Sequence, residues 1–319
     1  MDTYLGIDVG SISTNLAVID EEKKVLAWEY LLTGGKPIEA VQKGLGKIEK
    51  KLAKGLKIKG VGSTGSARHL TGILVGADTV KSEIIAHAVA ASHLIPEVKT
   101  IFEIGGQDSK IIIIRDGVVV DFAMNTICAA GTGSFLDHQA QRLGILIEEF
   151  GDLACKAKAP TKIAGRCTVF AESDMIHKQQ TGHATENIVA GLCQALVRNY
   201  LNNAGKGKEI LSPVVFQGGV AANKGMKAAF EEELGYEVIV PKYYHVMGAI
   251  GAAILAQETI VETKKTKFKG FEVSGVDYKT HSFECTGCPN LCEVIEVLMN
   301  GEAISRWGDR CGKWEVLEK

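Results

Sequence analysis

The chain has 319 residues, of which 46% are hydrophobic and 23% charged, so it can form a sizeable packed core and is not intrinsically disordered. Its formal net charge of −2 gives no electrostatic reason to expect binding to nucleic acid or to an anionic membrane. No segment reaches the roughly 18 uncharged apolar residues that a membrane span needs. The first residues lack a basic stretch followed by a long apolar segment, so we expect no secretory signal and a cytoplasmic location, where thiols stay reduced.

Strand-like and helical segments alternate along residues 1–262, as in α/β folds. Apolar residues at helical spacing predict amphipathic helices over 38–54 and 185–203, and helices are also expected over 169–178 and 247–254. Runs of β-branched and apolar residues bounded by turn residues predict strands near 3–9, 15–20, 25–31, 57–62, 100–104, 109–115, 118–123, 213–217 and 236–240.

Two segments, 8–20 and 103–115, match each other without a gap at an offset of 95 residues. Each contains a strand that ends in an acid, a tight turn of small residues, and a second strand rich in β-branched residues. Glycine lets a backbone approach a phosphate closely, and the N–H groups of such a turn can donate to phosphate oxygens. Two unrelated β-turns are the alternative, but the common register favours a duplicated α/β domain with a nucleotide in the cleft between its halves. We place these halves at 1–96 plus 245–262 and at 97–244.

The two turns and a third glycine pair provide the candidate nucleotide site. Asp8, Asp108 and Gln107 are the catalytic candidates, and the two aspartates are expected to hold Mg²⁺, directly or through water, and to orient the attacking water. The predicted strand 213–217 leads into paired glycines and then a helix, which permits close approach to an adenosine. The expected phosphate contacts are Gly10, Ser11, Ser13, Thr14, Gly105, Gly106 and Gln107, and the residues expected near the nucleoside are Gly218, Gly219 and Asn223.

Four of the eight cysteines lie in the body of the chain, two of them in unusual settings. Cys128 opens a glycine-rich stretch that ends at Ser134, and Cys167 lies in the segment 165–172. Binding or cleaving a nucleotide needs no thiol, so these two cysteines suggest a second kind of chemistry; the alternative is a pair of buried structural cysteines. Cys193 lies beside an apolar helical stripe and is interpreted as a core residue, whereas Cys155 is interpreted as a surface or loop thiol.

These motifs carry a resemblance to a known family. The two turns and the Gly218–Gly219 pair resemble the acetate/sugar kinase, Hsp70 and actin superfamily, whose ATPase domain has a duplicated ribonuclease H-like fold. Within that superfamily, the stretches that begin at Cys128 and Cys167 resemble the ATP-dependent activators of 2-hydroxyacyl-CoA dehydratases. Those activators are akin to the reductases of double-cubane-cluster proteins and to the ATPase subunits of benzoyl-CoA reductase. The resemblance extends from residue 3 to about residue 256.

The resemblance implies a homodimer with one [4Fe–4S] cluster at the subunit interface, held by Cys128 and Cys167 of each chain. Such a cluster usually takes four thiolates, and a two-fold axis would double these two cysteines to four. The implied activity is ATP-driven electron transfer at low potential from ferredoxin or flavodoxin to an iron–sulfur dehydratase or reductase, with ATP, ADP and Mg²⁺ bound. Gly131 and Gly133 are expected to couple phosphate contacts to the helix after Cys128.

Two other functions are compatible with the same fold. A small-molecule kinase, for an amino sugar or an acyl group, needs an acceptor pocket and a general base but has no use for Cys128 and Cys167. A nucleotide-switched interaction protein without an enzymatic reaction would use its C-terminal segment for docking.

The last residues form a predicted metal-binding module at 271–319, after a polar, basic linker at 263–270. The dipeptide Asn300–Gly301 between two apolar runs predicts a β-hairpin. The cysteines of this module, spaced to make a four-thiolate site that suits either structural Zn²⁺ or a second [4Fe–4S] cluster, are Cys285, Cys288, Cys292 and Cys311.

Overall fold

The computed structural model describes residues 1–53, 55–125, 129–299 and 301–314, which form an α/β fold. The strands are β1 (Asp2–Val9), β2 (Ser13–Ile19), β3 (Val25–Leu32), β4 (Lys57–Thr64), β5 (Thr79–Val80), β6 (Thr100–Ile104), β7 (Ser109–Arg115), β8 (Val118–Asn125), β9 (Val214–Gln217), β10 (Val238–Ile239), β11 (Tyr278–Glu284), β12 (Glu293–Met299) and β13 (Glu302–Trp307). The helices are α1 (Pro37–Lys51), α2 (Arg68–Val75), α3 (Glu83–Leu94), α4 (Gly133–Leu143), α5 (Ile147–Ala154), α6 (Thr168–Gln180), α7 (Thr185–Asn203), α8 (Lys224–Leu234) and α9 (Met247–Thr263).

Two five-stranded sheets repeat one topology. Their strand orders are β3-β2-β1-β4-β5 and β8-β7-β6-β9-β10. In each sheet the first strand of the repeat pairs antiparallel with the second and parallel with a later strand. Asp8 pairs with Asn15 across β1 and β2, and Glu103 pairs with Lys110 across β6 and β7. Since both members of the second pair follow the first by 95 residues, the predicted duplication is confirmed at the level of strand register.

One compact unit contains Met1–Gly10, Thr14–Lys81 and Ala252–Lys319. Its core is formed by apolar side chains of β1, β2 and β4 packed against α1 and α2. Helix α1 contributes Val41, Leu45 and Ile48, which recur at helical spacing on its buried face, as its sequence predicts.

The other compact unit contains Ser11–Ser13 and Ser82–Gly251. An aromatic cluster forms the centre of its core, where the ring of Phe230 lies 4.9 Å from that of Phe102 and 5.1 Å from that of Phe216. Helix α7 crosses this core and is buried along most of its length. The edge-to-face ring arrangements within the cluster are those that aromatic side chains prefer.

The C-terminal residues pack onto the first unit. Strands β11, β12 and β13 form an antiparallel sheet, and Tyr278 and Val297 from it join the same buried cluster as α1 and α2. Before that sheet, the side chain of Asp78 accepts hydrogen bonds from Thr266 Oγ1 at 2.8 Å and from the Lys267 N–H at 2.7 Å. The segment predicted as a linker is therefore held against the first unit by hydrogen bonds to a carboxylate. Among the helices in the described ranges, none combines the length and apolar character that a membrane crossing requires.

Candidate functional site

The second turn (Gly105–Asp108) joins β6 to β7 and is closed by a hydrogen bond from the Gly105 N–H to the Asp108 carbonyl at 3.0 Å. Gly106 has no room for a side chain, because a methyl group there would lie 2.6 Å from the Ile12 side chain, which belongs to the same compact unit. The turn therefore presents bare backbone at the end of β6, which is the feature needed for a close approach to phosphate.

The beginning of helix α4 is hydrogen-bonded directly to this turn. The Gly133 N–H donates to the Gly105 carbonyl at 2.9 Å, and the Ser134 N–H donates to the Gly106 carbonyl at 2.8 Å. The Ser134 hydroxyl donates to the same Gly106 oxygen. Because the first N–H groups of a helix have no partners within the helix, these bonds fix α4 to the turn.

A buried lysine lies under the second turn. The Lys110 side chain is 3% exposed, and its Nζ atom lies 2.8 Å from Glu103 Oε2, 3.0 Å from Asp108 Oδ1 and 3.6 Å from Glu83 Oε1. Burial by itself lowers the pKa of this ammonium, but the three carboxylates outweigh it and raise the pKa above its usual range. Lys110 therefore carries a permanent positive charge. Lys110 was not among the predicted site residues, although the repeat signals it, because a lysine stands where the first half has Asn15.

A second buried polar pair lies in the same unit. His87 Nδ1 on α3 and Gln217 Nε2 at the end of β9 are 2.9 Å apart, and both side chains are buried. Burial, followed by the positive charge of Lys110, lowers the pKa of His87 to about 4. His87 is therefore neutral at physiological pH.

Gly10, the first residue of the first turn (Gly10–Ser13), and Val9 before it are held by hydrogen bonds within the first unit. Asp8, just before it, is buried, and the Thr33 hydroxyl donates to the Gly10 carbonyl at 2.8 Å. The Val9 carbonyl accepts from the Ala67 N–H at 3.0 Å. Gly65 has a φ of +88°, and a methyl group there would lie 2.5 Å from Asp8 Oδ1. Any side chain at position 65 would therefore displace the Asp8 carboxylate, so this backbone position requires glycine.

The third glycine pair follows β9, as predicted. Gly218 has a φ of +90° and donates its N–H to the Tyr244 carbonyl at 2.8 Å. Asn223 is the N-cap of α8, since its Oδ1 accepts from the Met226 N–H at 3.0 Å. The structure thus gives Asn223 a capping role, while its predicted place near the nucleoside stays a prediction.

Cys167 is the N-cap residue of α6 and is half-buried. A thiol at this position lies at the positive end of the helix dipole, which stabilises an anionic group bound there. Cys128 lies outside the described residues. Of the remaining thiols in the body, Cys155 is exposed and Cys193 is buried, and burial raises the pKa of Cys193 well above its usual range.

Asn199 of α7 is hydrogen-bonded to the loop that carries Cys167. Its Nδ2 donates to the carbonyl of Arg166, the residue before Cys167, at 3.2 Å. Gly131 lies next to the same side chain, since a methyl group added there would be 3.1 Å from Asn199 Oδ1. The buried Asn199 side chain therefore fixes the residue before Cys167 and leaves no room for a side chain at Gly131.

The C-terminal cysteines lie at the end of the small sheet. The Cys285 N–H donates to the Cys292 carbonyl at 2.8 Å, and the Trp314 Nε1–H donates to Cys285 Sγ at 3.1 Å. The hydrogen bonds from Trp314 and from the Gly287 backbone lower the pKa of the Cys285 thiol. Within the described ranges, no three or more His, Cys, Asp or Glu side chains are grouped as metal ligands, so the four-thiolate site stays a prediction.

Comparison with known proteins extends these observations. The model of the BadF/BadG/BcrA/BcrD ATPase family matches residues 5–256. The (R)-2-hydroxyglutaryl-CoA dehydratase activating ATPase of Acidaminococcus fermentans is 35% identical over 256 residues, which cover 79% of this chain and 96% of that protein. The activator of lactoyl-CoA dehydratase of Anaerotignum propionicum is 35% identical over 255 residues, covering 80% of this chain and 97% of its own length.

A solved structure agrees with both relatives. The activator of the 2-hydroxyisocaproyl-CoA dehydratase from Clostridium difficile, with bound ADPNP, superimposes with a TM-score of 0.74 at 33% identity, covering 82% of this chain and 97% of that one. The predicted duplicated actin/Hsp70-like ATPase fold is thereby confirmed.

Proposed function

The chain belongs to the BadF/BadG/BcrA/BcrD ATPase family, and on that premise we propose that it is an ATP-dependent activator of a 2-hydroxyacyl-CoA dehydratase or a related iron–sulfur reductase. The proposed activity is ATP hydrolysis coupled to electron transfer at low potential. The observation that carries this proposal is the pair of hydrogen bonds between the second turn and α4, because they connect the turn proposed to bind phosphate to the helix that follows Cys128.

For the nucleotide, we propose that both turns donate backbone N–H groups to phosphate oxygens, from Gly10, Ser11, Ser13 and Thr14 in the first half and from Gly106 and Gln107 in the second. The Gly105 N–H closes the second turn on the Asp108 carbonyl and so shapes the turn for this contact. Asp8 and Asp108 are the proposed Mg²⁺ ligands, directly or through water. More than a third of the Asp108 side chain is exposed while its Oδ1 is held by Lys110, so a carboxylate is presented in a fixed orientation. Gly218 and Gly219 are proposed to face the nucleoside.

For the [4Fe–4S] cluster, the chain offers donors of the right chemistry. Cys167 lies at a helix N-terminus, and the buried Asn199 side chain is hydrogen-bonded to the residue before it. Two thiolates from each of two chains would complete a four-thiolate set, which supports a homodimer around a two-fold axis. When bound, such a cluster supplies a one-electron carrier, and a ferredoxin or flavodoxin is the proposed donor.

The proposed coupling is mechanical. Nucleotide binding and hydrolysis change what the second turn contacts, and the turn moves α4 through the Gly133 and Ser134 N–H groups. A nearly complete switch between two arrangements needs a difference in nucleotide affinity equivalent to about 5 kcal/mol. Phosphate contacts from several backbone N–H groups and a bound Mg²⁺ are of the type that can provide this difference.

The C-terminal cysteines are proposed to hold Zn²⁺ or a second [4Fe–4S] cluster. Cys285 and Cys292 are adjacent through a backbone hydrogen bond, which favours a shared ligand. Zinc would make this part a stabilising or docking element, whereas a second cluster would make it a site for receiving electrons.

The test is anaerobic iron, sulfide and zinc analysis, with EPR of the dithionite-reduced protein, on the wild type and on Cys128→Ser and Cys167→Ser. The proposal predicts about four iron atoms per dimer from the shared cluster, lost in both variants, and about eight more if the C-terminal cysteines bind clusters. Residual ATP binding is expected in both variants. A wild type without iron, or iron content unchanged in both variants, would contradict the cluster assignment and leave an ATPase without electron transfer.

A further inference from the structure

Lys110 is a buried cation among three carboxylates. Its ammonium group is surrounded by carboxylates from three elements: Glu103 at the end of β6, Asp108 in the second turn and Glu83 at the start of α3. The nearest two distances, 2.8 Å and 3.0 Å, are those of charge-assisted hydrogen bonds. The Tyr200 hydroxyl also donates to the Lys110 carbonyl at 2.6 Å, which fixes the backbone of the lysine itself.

The equivalent position in the first half is chemically different. Asp8 faces Asn15 across β1 and β2, whereas Glu103 faces Lys110 across β6 and β7. The residue opposite the acid on the neighbouring strand is thus a neutral amide in the first half and an ammonium group in the second. The duplicated halves are therefore asymmetric at the residues that precede the two turns.

We propose that Lys110 is a positioning residue of the ATPase site, whose ammonium group fixes the Asp108 carboxylate and, through it, the second turn. This inference rests on the proposed function, because it gives Asp108 and the turn their roles toward the nucleotide. Lys110 does not touch the nucleotide in this proposal; it acts through Asp108. It supplies two things: a balancing charge for Glu103 and Glu83, and a directed hydrogen bond to Asp108 Oδ1.

Two variants separate these contributions. Lys110→Met removes the charge and the donor together and leaves buried carboxylates without a cation, which weakens the fold. The double variant Lys110→Met with Glu103→Gln removes one positive and one negative charge, so it restores the charge balance without restoring the donor to Asp108. Lys208→Met is the matched control, because the same substitution there removes an ion pair of 2.6 Å to the exposed Asp121.

The measurements are the melting temperature Tm, the kcat and KM of ATP hydrolysis well below each Tm, and the Kd for Mg-ADP. We expect kcat to fall about 100-fold in both Lys110 variants, the order of magnitude typical of a misplaced catalytic group. The Kd should change less than about tenfold, and Tm should recover in the double variant. Lys208→Met should change kcat less than about twofold.

Recovery of both Tm and kcat in the double variant would overturn the proposal, since Lys110 would then serve only charge balance in the fold. An unchanged kcat in a folded Lys110→Met variant would overturn it too. If that single variant does not fold, the double variant still decides, because it has no additional unbalanced charge. A wild type without ATPase activity would instead contradict the proposed function.

Discussion

The N–H of Ser134 donates to the carbonyl of Gly106 across 2.8 Å, so the N-terminus of α4 is hydrogen-bonded directly to the second turn (Gly105–Asp108). Neither residue carries a charge or a reactive group. Their contribution is to make the position of the α4 N-terminus depend on the position of a turn that is proposed to bind phosphate.

Gly133→Ala tests this connection. An added methyl group would lie 3.0 Å from both the Gly105 carbonyl oxygen and Val220 Cγ2, so α4 would have to shift away from the turn. We expect the variant to fold and its ATPase kcat to fall about tenfold. Gly46→Ala in α1, where an added methyl group has no neighbour within 4 Å, is the control and should be stabilised by about 1 kcal/mol. Equal ATPase activity in the two variants would contradict a coupling role for Gly133.

Gly65→Ala should disturb the first turn through Asp8. The new methyl group would lie 2.5 Å from Asp8 Oδ1, in a backbone with a φ of +88°. We expect weaker nucleotide binding and a stability loss greater than the roughly 1 kcal/mol of backbone strain that alanine suffers in the left-handed region. Gly117→Ala isolates the strain, because Gly117 has a φ of +76° but no neighbour within 4 Å of the added group. Calorimetric titration with Mg-ADP measures nucleotide affinity, and urea unfolding measures stability. Equal losses of affinity and stability in Gly65→Ala and Gly117→Ala would argue against a steric effect on Asp8.

Asn199→Ala should loosen the loop that carries Cys167. The substitution removes the hydrogen bond to the Arg166 carbonyl in a buried site, and we expect a loss of about 1–3 kcal/mol in the free energy of unfolding. The variant should also bind less iron than the wild type after anaerobic reconstitution, while its ATP binding is retained. Asn203→Ala is matched to it, since the exposed Asn203 donates to Asn199 Oδ1 at 3.0 Å but does not touch that loop. Full iron content in Asn199→Ala would show that the loop needs no such hydrogen bond.

His87 predicts a specific pH dependence of stability. The unfolded chain takes up a proton as the pH falls through about 6.5, whereas burial keeps folded His87 neutral down to a pKa of about 4. The free energy of unfolding is therefore unaffected by this group above about pH 6.5 and decreases between about 6.5 and about 4, by up to about 3 kcal/mol. Urea unfolding of His87→Gln over this range should show a smaller decrease than the wild type. His93→Gln, at an exposed position of the same helix, should behave like the wild type.

Local patterns in the sequence predicted most strands to within a few residues, because alternating β-branched residues bounded by turn residues carry the strand signal in the chain itself. Helix α3 was missed: its alanine-rich sequence is apolar on several faces, so no amphipathic stripe marks it. Strand β5, only 2 residues long, gives no periodic signal.

The interactions around the site depend on contacts that local patterns do not encode. Lys110 meets Glu83 only because α3 packs beside β7, and Asn199 reaches Arg166 only because α7 passes behind the loop that carries Cys167. The repeat did predict where the two turns would lie, since register is a local property of each hairpin. It also aligns Lys110 with Asn15, but the aligned sequences alone do not show that this lysine is buried among Glu103, Asp108 and Glu83.

The packing of the C-terminal sheet on α1 and α2 makes the sheet part of the core of the first unit. Tyr278 and Val297 share one apolar cluster with Leu45 and Leu74, so a substitution in the sheet also changes the packing of those helices. A lineage that lost the sheet would expose that cluster to water and gain a surface prone to aggregation. Retention of the sheet is thus favoured by solubility, whatever its cysteines bind.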